Sequence, residues 1–326
     1  MQIDAFLGPK ILIVSGKGGV GKTTVAAALA LVAARAGRRV CIAEVDRKGT
    51  LPRLFGGGRL DYEPKELSPG VWGMNIIPED ALAEYLDVQY HMKRISKAFT
   101  STHFVDYITT AAPGLKDILI LGKVWYLEQD RGQVFDTIVV DAPAAGHMLT
   151  FLSAPAGLSD AVRVGPIRRQ AEWLAEMLRD PRRSRVHLVS LAEEMPVSET
   201  LETSTALEGR LGINSGAIFA NGVYTELLDD AQRETFEKVM ADGSAEELRA
   251  AAADVGLTLE DEDVDALVAY SAFLDSRREI QRKHLRTLER GVEQPVIRLP
   301  FLFSAGLALP DIETLADVIE GRVADL

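Results

Sequence analysis

Residues 15–24, SGKGGVGKTT, constrain the fold of this chain more than any other stretch. They contain Gly-x-x-x-x-Gly-Lys-Thr between the β-branched run KILIVS and the Ala-rich KTTVAAALALVAARAG, which Gly37 closes. A glycine-rich turn from a buried strand into a helix lets successive backbone N–H groups converge on phosphate oxygens. The partial positive charge of the helix N-terminus adds to that attraction. The spacing predicts that Gly16, Lys17, Gly18, Gly19, Val20, Gly21, Lys22, Thr23 and Thr24 bind a nucleotide, with Lys22 on the β/γ-phosphates and the Thr23 hydroxyl on Mg²⁺. ATP or GTP binding is expected. The motif leaves a second lysine near its front, Lys17, unexplained.

The loop belongs to a strand–loop–helix–strand unit in the first 55 residues, whose second strand, RRVCIAEVD, ends in a carboxylate. The intervening helix is apolar around most of its surface, so it should be covered on more than one side. WGMNIIPED reads as a third strand, and FDTIVVDAPAAGH as a strand ending in an aspartate and a Pro/Gly loop. SRVHLVSLAEE, SGAIFANGVY and PVIRLPFLF are further strands. Apolar residues recur at helical spacing in 80–131 (Leu82, Tyr85, Leu86; Tyr107, Ile108; Leu115, Ile118, Leu119), broken by Pro113 and Gly114. Residues 157–183 are mostly helical and arginine-bearing, and 226–292 form a long helical segment rich in Ala, Glu and Arg. The phosphate loop is not duplicated and there is no low-complexity linker. The expectation is one P-loop NTPase domain over 1–326, an α/β doubly wound and mostly parallel sheet with helical insertions at about 80–131 and 226–292.

Nucleotide hydrolysis on such a sheet needs carboxylates on neighbouring strand ends to hold Mg²⁺ and orient water. Asp46 and Asp141 each end a strand, and although such residues also cap turns, two in one sheet with a phosphate loop favour the metal role. Asp46 is the candidate for activating water, beside Lys17 and Lys22, and Thr23, Asp46 and Asp141 are the Mg²⁺ candidates. His147, in the loop after Asp141, reads as structural. No Asn/Thr-Lys-x-Asp motif selects guanine, whereas Asn221 at a strand end can pair with adenine's edge or form a turn before Gly222. ATP is therefore preferred. The acidic cluster behind Thr258 suits a helix's first turn better than a cation site.

A formal charge of −12 disfavours general nucleic-acid binding. Apolar residues at 47% and charged residues at 26% suit a soluble globular chain. Cys41, the only cysteine, sits in a strand and excludes intrachain disulfides, and no zinc is expected. MQIDAFLGPK lacks the features of a signal peptide, and no apolar run approaches the roughly 20 residues that span a bilayer. The expected location is the cytoplasm, with peripheral membrane association open.

With Lys17 in GKGGVGKT, the loop resembles the deviant Walker A group, which includes Min-type and Par-type positioning ATPases, nitrogenase reductase and the arsenite-pump/guided-entry ATPases. In that group the extra lysine reaches across a nucleotide-sandwich dimer to the partner's phosphates. Other residues narrow the resemblance to the arsenical pump-driving ATPase family, which includes the tail-anchored-protein targeting factors. The family's Asp-Pro-Ala-His-Ser-Leu appears as DRKGTL, matching Asp46, Thr50 and Leu51; its Asp-Thr-Ala-Pro-Thr-Gly-His appears as DAPAAGH, keeping Asp141, Gly146 and His147. EEMPVSETLE places Glu199 and Thr200, and Asn221 matches the strand-end asparagine for adenine. RREIQRKHL followed by VIRLPFLF resembles its final helix, strand and Leu-Pro, which adds Pro300 and Phe301 to the nucleotide candidates. Departures are Arg47 and Lys48 directly after Asp46, the loss of both switch-loop threonines, and the absence of the zinc and arsenite cysteines. Slow or differently regulated hydrolysis is the expectation from these.

The resemblance implies a homodimer, or a heterodimer with a paralogue, using ATP and Mg²⁺. Its helical insertions would open and close on a protein client, a hydrophobic or membrane-protein segment. The candidate client surface is 80–131, with Leu86, Ile95, Phe99, Phe104, Leu119 and Leu121, which could equally face the core; Met92 is the segment's one methionine, too few for a methionine-lined groove. The alternative is a subunit energising an anion transporter at the membrane. A positioning ATPase is disfavoured because IEGRVADL is no basic amphipathic helix. Arginines 163, 168, 169, 179, 182, 183 and 185 read as a basic patch or a solvated helix face.

Overall fold

The computed structural model describes residues 3–45, 49–90, 114–129, 134–225 and 245–325. A one-turn helix α1 (Ile3–Phe6) leads to β1 (Ile11–Gly16), the phosphate loop, α2 (Lys22–Arg35) and β2 (Val40–Glu44). Next come α3 (Leu51–Leu54), the antiparallel pair β3 (Lys65–Ser68) and β4 (Val71–Asn75), and α4 (Pro78–Tyr90). α5 (Leu115–Gln129) runs into β5 (Thr137–Ala144), followed by α6 (Ala145–Ala161) and α7 (Pro166–Arg179). β6 (Ser184–Leu191), α8 (Glu194–Ala206) with a π turn at Leu207–Leu211, and β7 (Ser215–Val223) continue the sheet. α9 (Ala245–Asp254), α10 (Asp261–Gly291), β8 (Val296–Pro300) and α11 (Leu309–Asp325) follow.

The sheet is α/β and mostly parallel, as expected, in the order β3-β4-β2-β5-β1-β6-β7-β8, with only β3 antiparallel. Strands buried on both faces read as continuous apolar runs, and their alternate residues feed two separate cores. Leu12 and Val14 of β1 join Val40 and Ile42 against α2 and α11, whereas Ile11, Ile13, Cys41 and Ala43 face α5, α6, α7 and the end of α10. α2 is covered on more than one side, with every residue from Thr24 to Ala33 buried. β1 lies between β5 and β6, so its C-terminal end opens where the sheet's connections diverge, the usual place for a ligand in such folds.

Four readings change. WGMNIIPED is not one strand: β4 ends at Asn75, and Pro78 with Glu79 and Asp80 starts α4, since proline fits a helix's first turn and carboxylates favour its positive end. The antiparallel β3 was not anticipated, because KELS lacks alternating apolar residues. No loop follows Asp141; β5 continues through Pro143 and Ala144, so His147 lies in the first turn of α6 and is exposed. Leu121 faces the core, 1% exposed, not a client surface.

Glu260, rather than Thr258, is the N-cap of α10, and the Asp263 carboxylate accepts its backbone N–H at 2.9 Å. The arginine run divides: Arg168 pairs with Glu172 on α7, while Arg183 reaches Glu128 of α5 with two hydrogen bonds. Asp46, Arg47, Lys48, Met92, Ile95, Phe99, Phe104, Tyr107, Ile108 and Pro113 lie outside the described residues. Among the described residues no helix is long and apolar enough to cross a membrane.

Candidate functional site

The phosphate loop leaves β1 at Gly16, where the backbone runs beside Val189 of β6. A Cβ on Gly16 would sit 2.1 Å from the Val189 carbonyl oxygen, so only glycine fits. At the other end Gly21 has a φ of 92°, and a Cβ there would meet the Asn221 amide at 2.3 Å. Gly18 and Gly19, at the exposed crest, have open space around them, which lets a ligand approach the backbone closely. Lys22 is buried, and its ammonium donates to the Lys17 carbonyl at 3.1 Å across the loop. Thr24 is buried behind it.

The register of the parallel strands delivers the carboxylates. Asp141 stands opposite Val14 of β1 and Glu44 of β2, which puts it directly behind the loop. The Thr23 hydroxyl donates to its Oδ2 at 2.6 Å. A hydroxyl and a carboxylate at that separation are the hard oxygen donors that Mg²⁺ prefers, so this pair could hold the cation. Ser15 reinforces the arrangement by donating to the Pro143 carbonyl at 2.7 Å. Asp46 is outside the described residues. Glu44, two residues earlier and 1% exposed, is a second carboxylate on β2, level with Asp141.

Lys17 is half-buried, and its ammonium lies 3.2 Å from a carboxylate oxygen of Glu199 on α8. Glu199 was singled out only through resemblance; its pairing with Lys17 had no sequence signal. Asn221, the candidate for the base, donates its amide N–H to the Val20 carbonyl at 2.8 Å and so braces the loop from below.

The ends of β7 and β8 are built together. Val223 lies opposite Pro300, and the Phe301 N–H donates to the Val223 carbonyl at 2.8 Å. Phe301 stacks on Tyr224 with ring centres 4.9 Å apart, and Phe303 meets it edge-on at 4.9 Å. The Gln281 side chain of α10 clamps the end of β7, donating to the Gly222 carbonyl and accepting the Tyr224 N–H, both at 2.8 Å. Tyr224, Phe303 and Gln281 were missed because nothing in their local sequence marks them.

A second feature lies between α4, α5 and α7. It is a mainly apolar groove of about 560 Å³ whose walls include Leu82, Leu86, Ile118, Leu119, Ile167 and Trp173. Trp125 and Trp173 stack at 5.6 Å, and Ile167 and Trp173 are exposed. One polar cluster sits in its wall. The Lys123 ammonium, 6% exposed, contacts both oxygens of Glu84 at 2.7 and 2.8 Å and lies 4.5 Å from the Tyr62 ring centre. Tyr62 donates to the same carboxylate at 2.5 Å, and burial with that carboxylate pushes its phenol far above the ordinary range.

Comparison with known proteins decides the lineage. The anion-transporting ATPase family model matches residues 9–172, from before β1 into α7. ATPase BagA of Mycobacterium tuberculosis (strain ATCC 25618 / H37Rv) is 32% identical over 289 residues, spanning 85% of this chain and 84% of the relative. The chain belongs to the anion-transporting ATPase family. This family member is similar over shorter stretches to arsenical pump-driving ATPases. That of Acidiphilium multivorum is 26% identical over 239 residues, 67% of this chain and 40% of the relative. One from Escherichia coli is 26% identical over 239 residues, 66% of this chain and 40% of the relative. Membership makes this chain an ATP-binding, ATP-hydrolysing enzyme.

Proposed function

We propose that this ATPase works as a nucleotide-sandwich dimer, a homodimer or a heterodimer with a paralogue. In this reading its Mg²⁺-dependent ATP cycle opens and closes the groove between α4, α5 and α7 on a hydrophobic client segment. The observation that carries the reading is the connection of groove to site: α5 precedes β5, which carries Asp141, and α6 and α7 follow from it directly. A displacement of Asp141 would therefore be passed to two walls of the groove. Exposed Ile167 and Trp173 in a concave apolar setting support a client role over a merely buried one.

Within the site, the loop N–H groups and Lys22 would hold the β/γ-phosphates, while Thr23 and Asp141 would hold Mg²⁺. The cation supplies charge neutralisation and polarisation of the transferring phosphoryl group. Asp46 would orient the attacking water. Asn221, Pro300 and Phe301 stand at the strand ends where the base is expected, so Asn221 would exchange its bond to Val20 for, or add to it, a bond to adenine. Lys17 would leave Glu199 to reach the partner's phosphates. A half-exposed pair of this kind is worth about 0.2–1 kcal/mol, so it is a weak latch that γ-phosphate contacts readily outweigh.

Light scattering with ATP and Mg²⁺ tests the dimer: wild type should dimerise and Lys17→Ala should not, and a monomer under all conditions sinks the reading. Binding of a fluorescent hydrophobic-helix peptide tests the client role, with equal affinity in the presence and absence of nucleotide counting against it. The second reading, a subunit energising an anion transporter, is favoured by the names of the pump-driving relatives. Arsenite itself finds no thiol site here, because Cys41 is fully buried and burial pushes its thiol up to about 12. Arsenite stimulation of ATPase activity would overturn that point.

A further inference from the structure

The described surface holds a second cleft, which borders the candidate base site at Val223, Tyr224 and Pro300 but whose arginines neither the ATP reading nor the client reading uses. It lies at the β8 edge of the sheet, between α10 and α11, with a volume of about 590 Å³. Five arginines line it: Arg278, Arg282 and Arg286 from α10, Arg298 from β8 and Arg322 from α11. The first three recur every four residues, which places them on one face of the helix. Among the described residues no carboxylate lines the cleft.

Three of these guanidiniums have acidic neighbours. Arg278 pairs with Asp275 at 3.2 Å, Arg282 with Glu279 at 2.6 Å, and Arg298 with Glu289 at 2.9 Å. Arg286 and Arg322 form no ion pair among the described residues, and both are exposed. Among the described residues the cleft therefore keeps a positive excess, in a chain whose formal charge is −12. Concentrating like charge on three separate elements disfavours the empty cleft, and a bound anion offsets that repulsion.

We propose that this cleft binds a compact anion carrying at least two phosphate groups. Guanidinium forks match phosphate oxygens two at a time, and five of them in one cleft offer more donors than the four oxygens of a single phosphate match in this way. The volume falls in the range of small-ligand sites. The size argument also selects a small ligand over an extended polyanion: the chain's overall negative field repels nucleic acid or an anionic bilayer, while a compact ligand feels mainly the local arginines. The site is independent of the client reading.

The test is calorimetric titration of the full chain with sodium diphosphate. Lys22→Met is the background, keeping the buried stem while disabling the phosphate loop; should it fail to fold, wild type saturated with ADP replaces it. Diphosphate should bind, and Arg286→Gln or Arg322→Gln should each weaken it by about tenfold. Both arginines are exposed, so the variants should melt as the background does. Binding unchanged by either variant, or no binding in the background chain, overturns the proposal. Citrate binding as tightly as diphosphate overturns the phosphate assignment.

Discussion

Replacing Glu84 with alanine would strand the Lys123 ammonium in the wall of the groove. That ammonium is 6% exposed, and both carboxylate oxygens of Glu84 lie within 2.8 Å of it; the Tyr62 ring, 4.5 Å away, offers only a weaker attraction. Removing one partner of a buried pair costs about 3–5 kcal/mol, because the other charge stays desolvated and unpaired. Glu84 is itself 30% exposed, so water reaches part of the site and about 3 kcal/mol is the better figure. Tyr62 also loses its acceptor at 2.5 Å, which adds about 1 kcal/mol. For a chain of this length the loss corresponds to a melting point lower by roughly 6 °C. The assay is thermal and urea unfolding of wild type, Glu84→Ala, Lys123→Met and the double variant. The double variant should recover at least half of the Glu84→Ala loss, since no buried charge is left over. A loss under about 1 kcal/mol for Glu84→Ala, or additive losses in the double variant, would refute the reasoning. ATP binding, set by the loop on the other elements, should be unchanged.

Asp141→Asn should abolish Mg²⁺-dependent ATP turnover by about a hundredfold or more while leaving the fold intact, measured by phosphate release, because Thr23 keeps a neutral acceptor but the cation loses its charge partner. Asn221→Ala removes the brace on the Val20 carbonyl and should cost about 1–2 kcal/mol, read as a five- to thirtyfold weaker affinity for a fluorescent ATP analogue. His187, fully buried between Phe6 and Phe219, is held down to about 4 by burial, with Arg185 adding to the effect. Above pH 6.5 the ring is neutral whether folded or not, and between 6.5 and 4 only the unfolded chain takes up a proton. Stability should therefore fall as pH drops through that window, by about 3 kcal/mol in all, and His187→Met should flatten that part of the urea-unfolding profile.

Much of the candidate site was legible because its residues are local in sequence. Gly16 through Thr24 are contiguous, and the strands that carry Asp141 and Asn221 are marked by long apolar runs that stop at a polar residue. What stayed hidden depends on register and on side chains arriving from elsewhere. Glu44 stands level with Asp141 only because β2 pairs with β5 there, and Glu199 meets Lys17 only because α8 packs beside the loop. Gln281 reaches β7 from a helix 59 residues away from Gly222 in sequence, and no pattern along the chain announces that. β3 was missed for a simpler reason: an edge strand of charged and polar residues has no apolar alternation to read.

The placement of β1 in the sheet also governs the order in which the site can be made. Ile11 pairs with Ile138 on one side and with Ser184 on the other, and Gly16 lies against the carbonyl of Val189. A nascent chain therefore makes its nucleotide loop long before both flanking strands, gains the β5 side only after residue 144 and lacks the β6 side until residue 189 has emerged. At about 5–20 residues per second of synthesis, the interval lasts on the order of ten seconds or more. Until β5 is made ILIVS is a β-prone segment without its strand neighbours, and competence to bind ATP is gained late, only when strands far apart in sequence have come together.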